Sequence, residues 1–269
     1  MEQIRQAVER AGARHGANPD QQGQAGFKSQ PQQFNTTDAR IKEVALNGVH
    51  LESKRIISHD PKDPRCRSFD MLRTQVLQAM DQKHHQFIAI TSPTPGCGKT
   101  LTAINLALSI ARQPERSVLL VDTDFQKPHV ASCLGIKREE GVFSVLEGRT
   151  SLANAVVQAR IGSYQFMVLP SETSTPHSSE WIASSQMRTM LQNIKRDYRS
   201  SIVILDMPPI LSSDDVIAMI PQIDCVLLVA AVGVSTVPQI EECSRHLQSA
   251  DVVRIVLNKV PEQSTNYYY

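Results

Sequence analysis

Apolar residues cluster along this chain in short continuous runs separated by stretches of helical spacing. The runs fall at 87–90 (FIAI), 117–122 (SVLLVD), 164–169 (YQFMVL), 201–206 (SIVILD), 225–230 (CVLLVA) and 252–258 (VVRIVLN). Unbroken apolar character over so few residues predicts strands covered on both faces, as in a parallel sheet. Between them, Phe69, Leu72, Val76 and Met80 repeat at helical spacing over 65–81, and Ile104, Leu106, Leu108 and Ile110 over 101–111. Further helices are expected at 180–197, which carries the single Trp181, at 213–220 and at 236–249, with two short pieces around Glu147-Gly148 inside 141–155. Strands alternating with helices predict an α/β fold, a doubly wound and mostly parallel sheet with helices on both faces. No internal repeat is present. Ligands of such sheets lie beyond the carboxyl ends of the strands, where Lys99, Asp122, Asp206 and Asn258 would collect.

The polar ends of the chain read differently. Residues 1–13 predict a short helix with Ile4 and Val8 on one side, marginal alone at that length. Residues 14–60 include the Gln-, Gly-, Asn- and Pro-rich stretch QQGQAGFKSQPQQFN and are expected as a mostly flexible arm, up to the punctuation of Asp60-Pro61 and Asp63-Pro64. The expected organisation is an arm over 1–60, a domain over 61–262 and a tyrosine-rich tail over 263–269.

The stretch TSPTPGCGKT, residues 91–100, joins the first strand to its helix. Strand, glycine-containing loop, Lys-Thr and helix is the layout of a phosphate-binding loop. Gly96 and Gly98 let the backbone curl so that successive N–H groups face one anion, and the positive end of the helix adds to that field. Residues Pro95, Gly96, Cys97, Gly98, Lys99, Thr100 and Leu101 are the expected nucleotide-binding set. Lys99 reaches the β- and γ-phosphates, and the Thr100 hydroxyl ligates Mg²⁺. The usual first glycine of this pattern is replaced by Pro93, so the loop is stiffer and, with Pro95, lacks two N–H donors. Two acidic stretches complete the picture: Asp122 and Asp124 close one apolar strand (VLLVDTDFQKP), and Asp206 closes another (IVILDMPP). Both strands are expected to neighbour the loop's strand. Asp206 suits Mg²⁺, directly or through water; one of Asp122 and Asp124 holds the metal or accepts a proton from an incoming hydroxyl. His84, His85 and His177 lack metal-ligand spacing and are expected at the surface.

Composition narrows the setting. With 269 residues and 41% hydrophobic content the chain can build one large domain core. A net charge of +1 gives no bulk electrostatic basis for binding nucleic acid or an acidic partner. Five scattered cysteines form neither a disulfide framework nor a metal cluster, which suits a reducing cytoplasm. No apolar run has the ~20 residues that span a bilayer, and the first residues hold no apolar signal core. A soluble cytoplasmic protein is expected, reaching the inner face of a membrane only through a partner.

Taken together, the three motifs resemble those of the bacterial tyrosine kinases (BY-kinases) of exopolysaccharide and capsule assembly, in their stand-alone cytoplasmic form, over roughly residues 60–269. In that resemblance TSPTPGCGKT corresponds to Walker A, VLLVDTDFQKP to the family's second Asp-containing Walker motif, and IVILDMPP to Walker B. Residues 169–178 followed by Glu180-Trp181-Ile182 look like the family's Pro-containing loop before a helix. Asn258, at the end of Val256-Leu257-Asn258, resembles the Asn that reads adenine in related ATPases. Partition and division-site ATPases carry an extra Lys five residues before the Walker Lys; Thr94 stands there, which favours the kinase branch.

The resemblance implies an ATP- and Mg²⁺-dependent protein-tyrosine autokinase. Lys99, Asp122 and Asp124 would be catalytic, Thr100, Asp122 and Asp206 would hold the metal, and the terminal Tyr267, Tyr268 and Tyr269 would be phosphoacceptors, served in trans by self-association. It implies a membrane-embedded polysaccharide co-polymerase or chain-length protein as activating partner, and no nucleic acid. Three departures stand out. Gln126, then Lys127, occupy the place where the family has Arg two residues after Asp124. Arg67, Asp70 and Arg73 occupy the positions of its Glu, Arg and Arg ring-forming pattern, two of them reversed in sign, which bears on ring size. Pro93 and Cys97 make an unusual phosphate loop. The alternatives are a partition-type ATPase switch and a nucleotide-binding scaffold with little turnover.

Overall fold

A computed structural model describes residues 41–137 and 139–261, without the side chains of Val252 and Val253. The expected helix over 1–13 and the tyrosines 267–269 lie outside the described residues. Among the described residues eight strands form one sheet: β1(Lys42–Ala45), β2(Phe87–Thr91), β3(Ser117–Asp122), β4(Val157–Ile161), β5(Tyr164–Leu169), β6(Ser201–Asp206), β7(Cys225–Ala231) and β8(Asp251–Asn258). Their order is β1-β4-β5-β3-β6-β2-β7-β8. The six from β5 to β8 in that order are parallel. At one edge β4 runs antiparallel to β5, and β1 follows β4 in parallel. The helices are α1(Gly48–Ser53), α2(Cys66–Lys83), α3(Lys99–Ala111), α4(Val130–Leu134), α5(Val142–Leu146), α6(Leu152–Ala155), α7(Ser178–Ala183), α8(Ser185–Asp197), α9(Asp215–Met219) and α10(Val237–His246).

The continuous apolar strands are doubly covered, as their sequence predicts. Ile88 and Ile90 of β2, Val118 and Leu120 of β3, and Ile202 and Ile204 of β6 pack with Val76 and Met80 of α2 and with Ile104 and Leu108 of α3. The alternate residues Phe87, Ala89, Leu119, Val121, Val203 and Leu205 pack on the other face with Leu191 and Ile194 of α8 and Val216 of α9. Two buried layers around a central sheet fix the register, because a one-residue slip would exchange the two faces.

Four differences from the sequence expectation have physical causes. Residues 41–60, expected within the flexible arm, hold β1 and α1: β1 adds to the edge of the sheet, and Leu51 and Ile56 are fully buried. The strand β4 is unforeseen. Only its alternation (Val157 and Ala159 inward, Arg160 outward) and the turn at Gly162, with φ +57°, mark it. The helix expected over 180–197 is broken at Ser184, whose extended backbone (ψ 159°) lets Oγ accept the Met187 N–H and start α8 afresh. Finally, β6 and β7 flank the loop's strand β2, and β3 lies beyond β6. Asp122 therefore reaches the site across β6 rather than from the adjacent strand.

Asn105, in the middle of α3, fastens residues 55–58 to the helix behind the phosphate loop. Its Oδ1 accepts the N–H groups of Ile57 and Ser58 at 2.9 and 3.0 Å, and its Nδ2 donates to the carbonyls of Leu101 and Arg55. Asn105→Ala strands two buried N–H groups, each costing ~1–3 kcal/mol. Urea unfolding is expected to show a loss of about 3 kcal/mol; a loss below 1 kcal/mol would mean the segment is held by its apolar contacts alone.

The charged positions of α2 are engaged within the chain. Asp70 accepts a bidentate pair from Arg112 (3.0 and 3.1 Å), a bond from Arg73 (3.1 Å) and one from Ser109 Oγ (2.6 Å). Arg73 also donates to the Ser109 carbonyl. Asp70 and Arg73 thus tie α2 to α3, while Arg67 remains exposed.

Candidate functional site

The phosphate loop is shaped by its two glycines and by two neighbouring loops. Gly96 (φ +83°) and Gly98 (φ +94°) both take the left-handed conformation that favours glycine. A Cβ at Gly98 would also lie 2.3 Å from Nδ2 of Asn258. Asn258 braces the loop: its Nδ2 donates to the Cys97 carbonyl at 2.9 Å, and its Oδ1 accepts the Lys259 N–H at 2.8 Å. The chain leaving β6 braces the other side. The N–H groups of Ile210 and Leu211 donate to the carbonyls of Ser92 and Pro93, and Thr91 Oγ1 donates to the Pro208 carbonyl. Pro93 is thus a buried, bonded part of the loop. Cys97 is fully buried, with Sγ 3.3 Å from Ser235 Oγ. Pro95 and Gly96 are exposed at the tip, and Leu101 packs partly against the core below.

Lys99 and Thr100 open α3, and each meets a carboxylate. Lys99 Nζ donates to Asp124 Oδ2 at 2.5 Å and lies 4.0 Å from Asp206 Oδ1. Thr100 Oγ1 donates to Asp206 Oδ2 at 2.7 Å. Asp122 Oδ2 accepts the Val130 N–H at 3.0 Å, and Asp124 Oδ1 accepts that of Lys127. All three carboxylates are buried. Thr123, which the motif reading passed over, donates its N–H and its hydroxyl to the Asp206 carbonyl, locking the exit of β3 to that of β6.

Lys99 therefore faces two carboxylates directly, with Asp122 as a third nearby. Burial opposes the charge on Lys99, but Asp206 and Asp124 more than offset it, and its ammonium is held above the ordinary lysine range. Burial, with Asp206 beside it, pushes Asp122 well above the usual carboxylate range. Burial also raises Asp206, against the pull of Lys99 and the Thr100 hydroxyl. Asp122 Oδ1 and Asp206 Oδ1 are buried and have no hydrogen-bond partner among the described residues. This excess of negative charge, two unpartnered carboxylate oxygens and an adjacent hydroxyl fit a divalent cation of the Mg²⁺ type, which takes one or two carboxylates and completes its shell with water and phosphate. Among the described residues no group of three or more His, Cys, Asp or Glu is placed to hold a metal ion by itself.

The structure brings Lys99, Thr100, Asp122, Asp124 and Asp206 together at the strand ends, with Asn258 against the loop rather than free in a cleft. His84 and His177 are exposed, but His85 is only partly so, its Nε2 3.5 Å from Asp251. Gln126 is bonded to Ser178 and Ser213. That polar group, with Asp215 behind it, went unread in the sequence, although the pair Asp214-Asp215 shortly after the second acidic strand end marked it. Among the described residues no helix is long and apolar enough to cross a membrane.

Known proteins resemble this chain in sequence and fold. A family model described as "AAA domain" matches residues 85–249. A protein of Ralstonia nicotianae, "Putative tyrosine-protein kinase EpsB", is 30% identical over 224 residues, which cover 82% of this chain and 29% of that protein. The chain thus spans under a third of the length of that relative. The solved structure "The kinase domain of Escherichia coli tyrosine kinase ETK" superposes with a TM-score of 0.67 at 27% identity, covering 78% of this chain and 81% of that domain. The cell-division ATPase MinD of Pyrococcus furiosus shares the fold, with a TM-score of 0.55, 21% identity and coverage of 67% and 74%.

Proposed function

This chain belongs to the AAA-domain family, and from that premise we propose that it is an ATP- and Mg²⁺-dependent protein-tyrosine autokinase acting on its own C-terminal tyrosines. The observation that carries the reading is the meeting of Lys99, Thr100 and three buried carboxylates under a glycine loop. The names of relatives add to it, since both the Ralstonia protein and the Escherichia coli domain are tyrosine kinases by name.

In this reading the N–H groups from Gly96 to Thr100 cradle the phosphates, and Leu101 continues the helix whose positive end faces them. Pro95 and Cys97 hold the loop in shape, and Asn258 supports it at the nucleotide end. Lys99 leaves Asp124 for the β- and γ-phosphates and stabilises charge on the group in transfer. Thr100, Asp206 and Asp122 would hold Mg²⁺, which neutralises phosphate charge when bound. Asp122, with its proton affinity raised by burial, takes the proton of the tyrosine hydroxyl as its oxygen attacks the γ-phosphorus, and ADP leaves. Asp124, freed of Lys99, supports the metal side. Tyr267, Tyr268 and Tyr269 are the acceptors, presented to a neighbouring subunit by a tail over 263–269 that follows the folded domain. Each phosphate brings about −1.5 to −2 charges, so three adjacent ones repel and release the tail. The activating partner is a membrane-embedded polysaccharide co-polymerase, contacted from the cytoplasm through residues 1–60, and the output is control of polysaccharide chain assembly.

A second reading is a nucleotide-gated scaffold with little turnover. It is favoured by uncharged Gln126 beside the acidic centre and by the engagement of Asp70 and Arg73 within the chain. Phosphotyrosine formed on the purified chain with ATP and Mg²⁺ separates the two. The kinase reading predicts it on the native chain; nucleotide binding without any phosphotyrosine would leave the scaffold.

A further inference from the structure

Gln126 follows Asp124 by two residues and is exposed. Asp124 folds the chain back on itself, its Oδ1 accepting the Lys127 N–H at 3.0 Å, so Gln126 sits at the tip of a turn whose base holds Lys99. Its Nε2 donates to Ser178 Oγ at 3.1 Å and to Ser213 Oγ at 3.2 Å. Ser178 begins α7, beyond the loop that leaves β5. Ser213 lies in the loop that leaves β6, two residues past the Leu211 N–H that donates to the Pro93 carbonyl. One side chain ties together the exits of β3, β5 and β6 at the edge of the site.

Chemistry fixes the direction of that tie. Asp215 is fully buried, and its Oδ1 accepts the Ser178 hydroxyl at 3.1 Å. A carboxylate only accepts, so Ser178 commits its one proton to Asp215 and must accept from Gln126. Ser213 Oγ already accepts the Asp215 N–H at 3.2 Å. The amide nitrogen of Gln126 is therefore the inward end. Its Oε1, with no hydrogen-bond partner among the described residues, is the outward end: a neutral acceptor on the turn two residues past Asp124.

We infer that Gln126 sets acceptor specificity. Its outward oxygen takes a hydrogen bond from the segment that presents the tyrosine, and it selects neutral, donor-bearing segments over acidic ones. The inference rests on the kinase reading for what enters the site. The chain's own end has the matching chemistry: between Pro261 and Tyr267 stand one acid, Glu262, and four amide or hydroxyl side chains, Gln263, Ser264, Thr265 and Asn266. A carbonyl oxygen at that place has only lone pairs to offer an acidic flank and repels it. A guanidinium at the same place would attract them.

The test is a fluorescence-anisotropy titration of the full chain, loaded with a non-hydrolysable ATP analogue and Mg²⁺. The two labelled peptides are PEQSTNYYY and its form with Gln263, Ser264, Thr265 and Asn266 replaced by Glu. Competition from the chain's own tail lowers both affinities alike and leaves their ratio unchanged. The native chain is expected to bind the neutral peptide about three- to tenfold more tightly, the worth of one hydrogen bond. Gln126→Arg is expected to invert that order. Ser178→Ala, which loosens the tie but keeps the rim neutral, is expected to weaken both peptides in proportion. Equal affinities in the native chain, binding of neither peptide, or a Gln126→Arg chain weakened toward both alike would overturn the inference. Phosphate transfer from ATP to the peptides, followed separately, judges the kinase reading: its absence would sink that reading while the titration still decides on Gln126.

Discussion

Lys99→Met is expected to destabilise the nucleotide-free fold by ~3–5 kcal/mol, the cost of stripping the cation from buried carboxylates, as well as to abolish phosphate transfer. Lys99 faces Asp124 at 2.5 Å and Asp206 at 4.0 Å, and the side chains of the two carboxylates are only 5% and 0% exposed. Methionine fills a similar volume but leaves both without a partner of opposite sign. A domain of this size should lose about 10 °C in its melting temperature for such a change. Millimolar Mg²⁺ should restore part of that loss, because a divalent cation drawn to Asp206 and Asp122 supplies the missing positive charge. The check is thermal unfolding with and without Mg²⁺. A variant that melts with the native chain would show that Lys99 is not what compensates the acidic cluster, and the charge account of the site would fail.

Asp122→Asn is expected to move stability and activity in opposite directions. Asp122 is wholly buried, with its Oδ1 unpartnered and its proton affinity raised first by burial and then by Asp206. The amide keeps an oxygen for the Val130 N–H and turns an NH₂ toward the position of the unpartnered oxygen. That NH₂ is no better partnered than the oxygen was, but the change removes a buried negative charge facing Asp206, which is worth ~1–3 kcal/mol, so the variant should be the more stable at neutral pH. The sign with pH follows from the raised values. The folded chain binds protons on Asp122 and Asp206 more tightly than the unfolded chain does. Their contribution is therefore present at low pH and is lost as pH rises from the ordinary carboxylate range up through the raised values. In Asp122→Asn that decline should be shallower. Phosphate transfer should nevertheless be lost, since an amide neither takes the tyrosine proton nor binds the metal comparably. Urea unfolding at several pH values, beside a phosphotyrosine assay, checks both halves; a less stable Asp122→Asn with an unchanged pH slope would contradict the first.

Much of this was legible in the chain because a buried parallel sheet writes itself as continuous apolar runs, and because a phosphate loop needs glycine, lysine and threonine in fixed order. The positions of Lys99, Thr100, Asp122, Asp124 and Asp206 follow from being at the ends of such runs. What was not legible depends on contacts distant in sequence. Residues 41–60 are polar enough to resemble the arm before them, and what fastens them lies far off in sequence: β4 beside β1, and Asn105, nearly fifty residues on, through Ile57 and Ser58. The four-residue β1 and the alternating β4 offer too few apolar positions to stand out. The order of strands, which puts β6 between β2 and β3, is set by how the helices pack and leaves no local mark. Gln126 is the instructive case. In sequence it is an uncharged residue where a cation was expected; in the structure its meaning comes from Ser178, Ser213 and Asp215, brought to it by the exits of two other strands, β5 and β6.

The central claim is that one copy of this chain transfers phosphate from ATP to the terminal tyrosines of another. Intact-mass spectrometry of a mixture tests it most directly. An Asp122→Asn chain with its tail intact is mixed with an otherwise native chain lacking Tyr267, Tyr268 and Tyr269, and ATP and Mg²⁺ are added. The account predicts phosphate additions on the Asp122→Asn chain only, up to three, and none when either chain is incubated alone. A mixture in which neither mass changes, while both chains bind ATP, would contradict it.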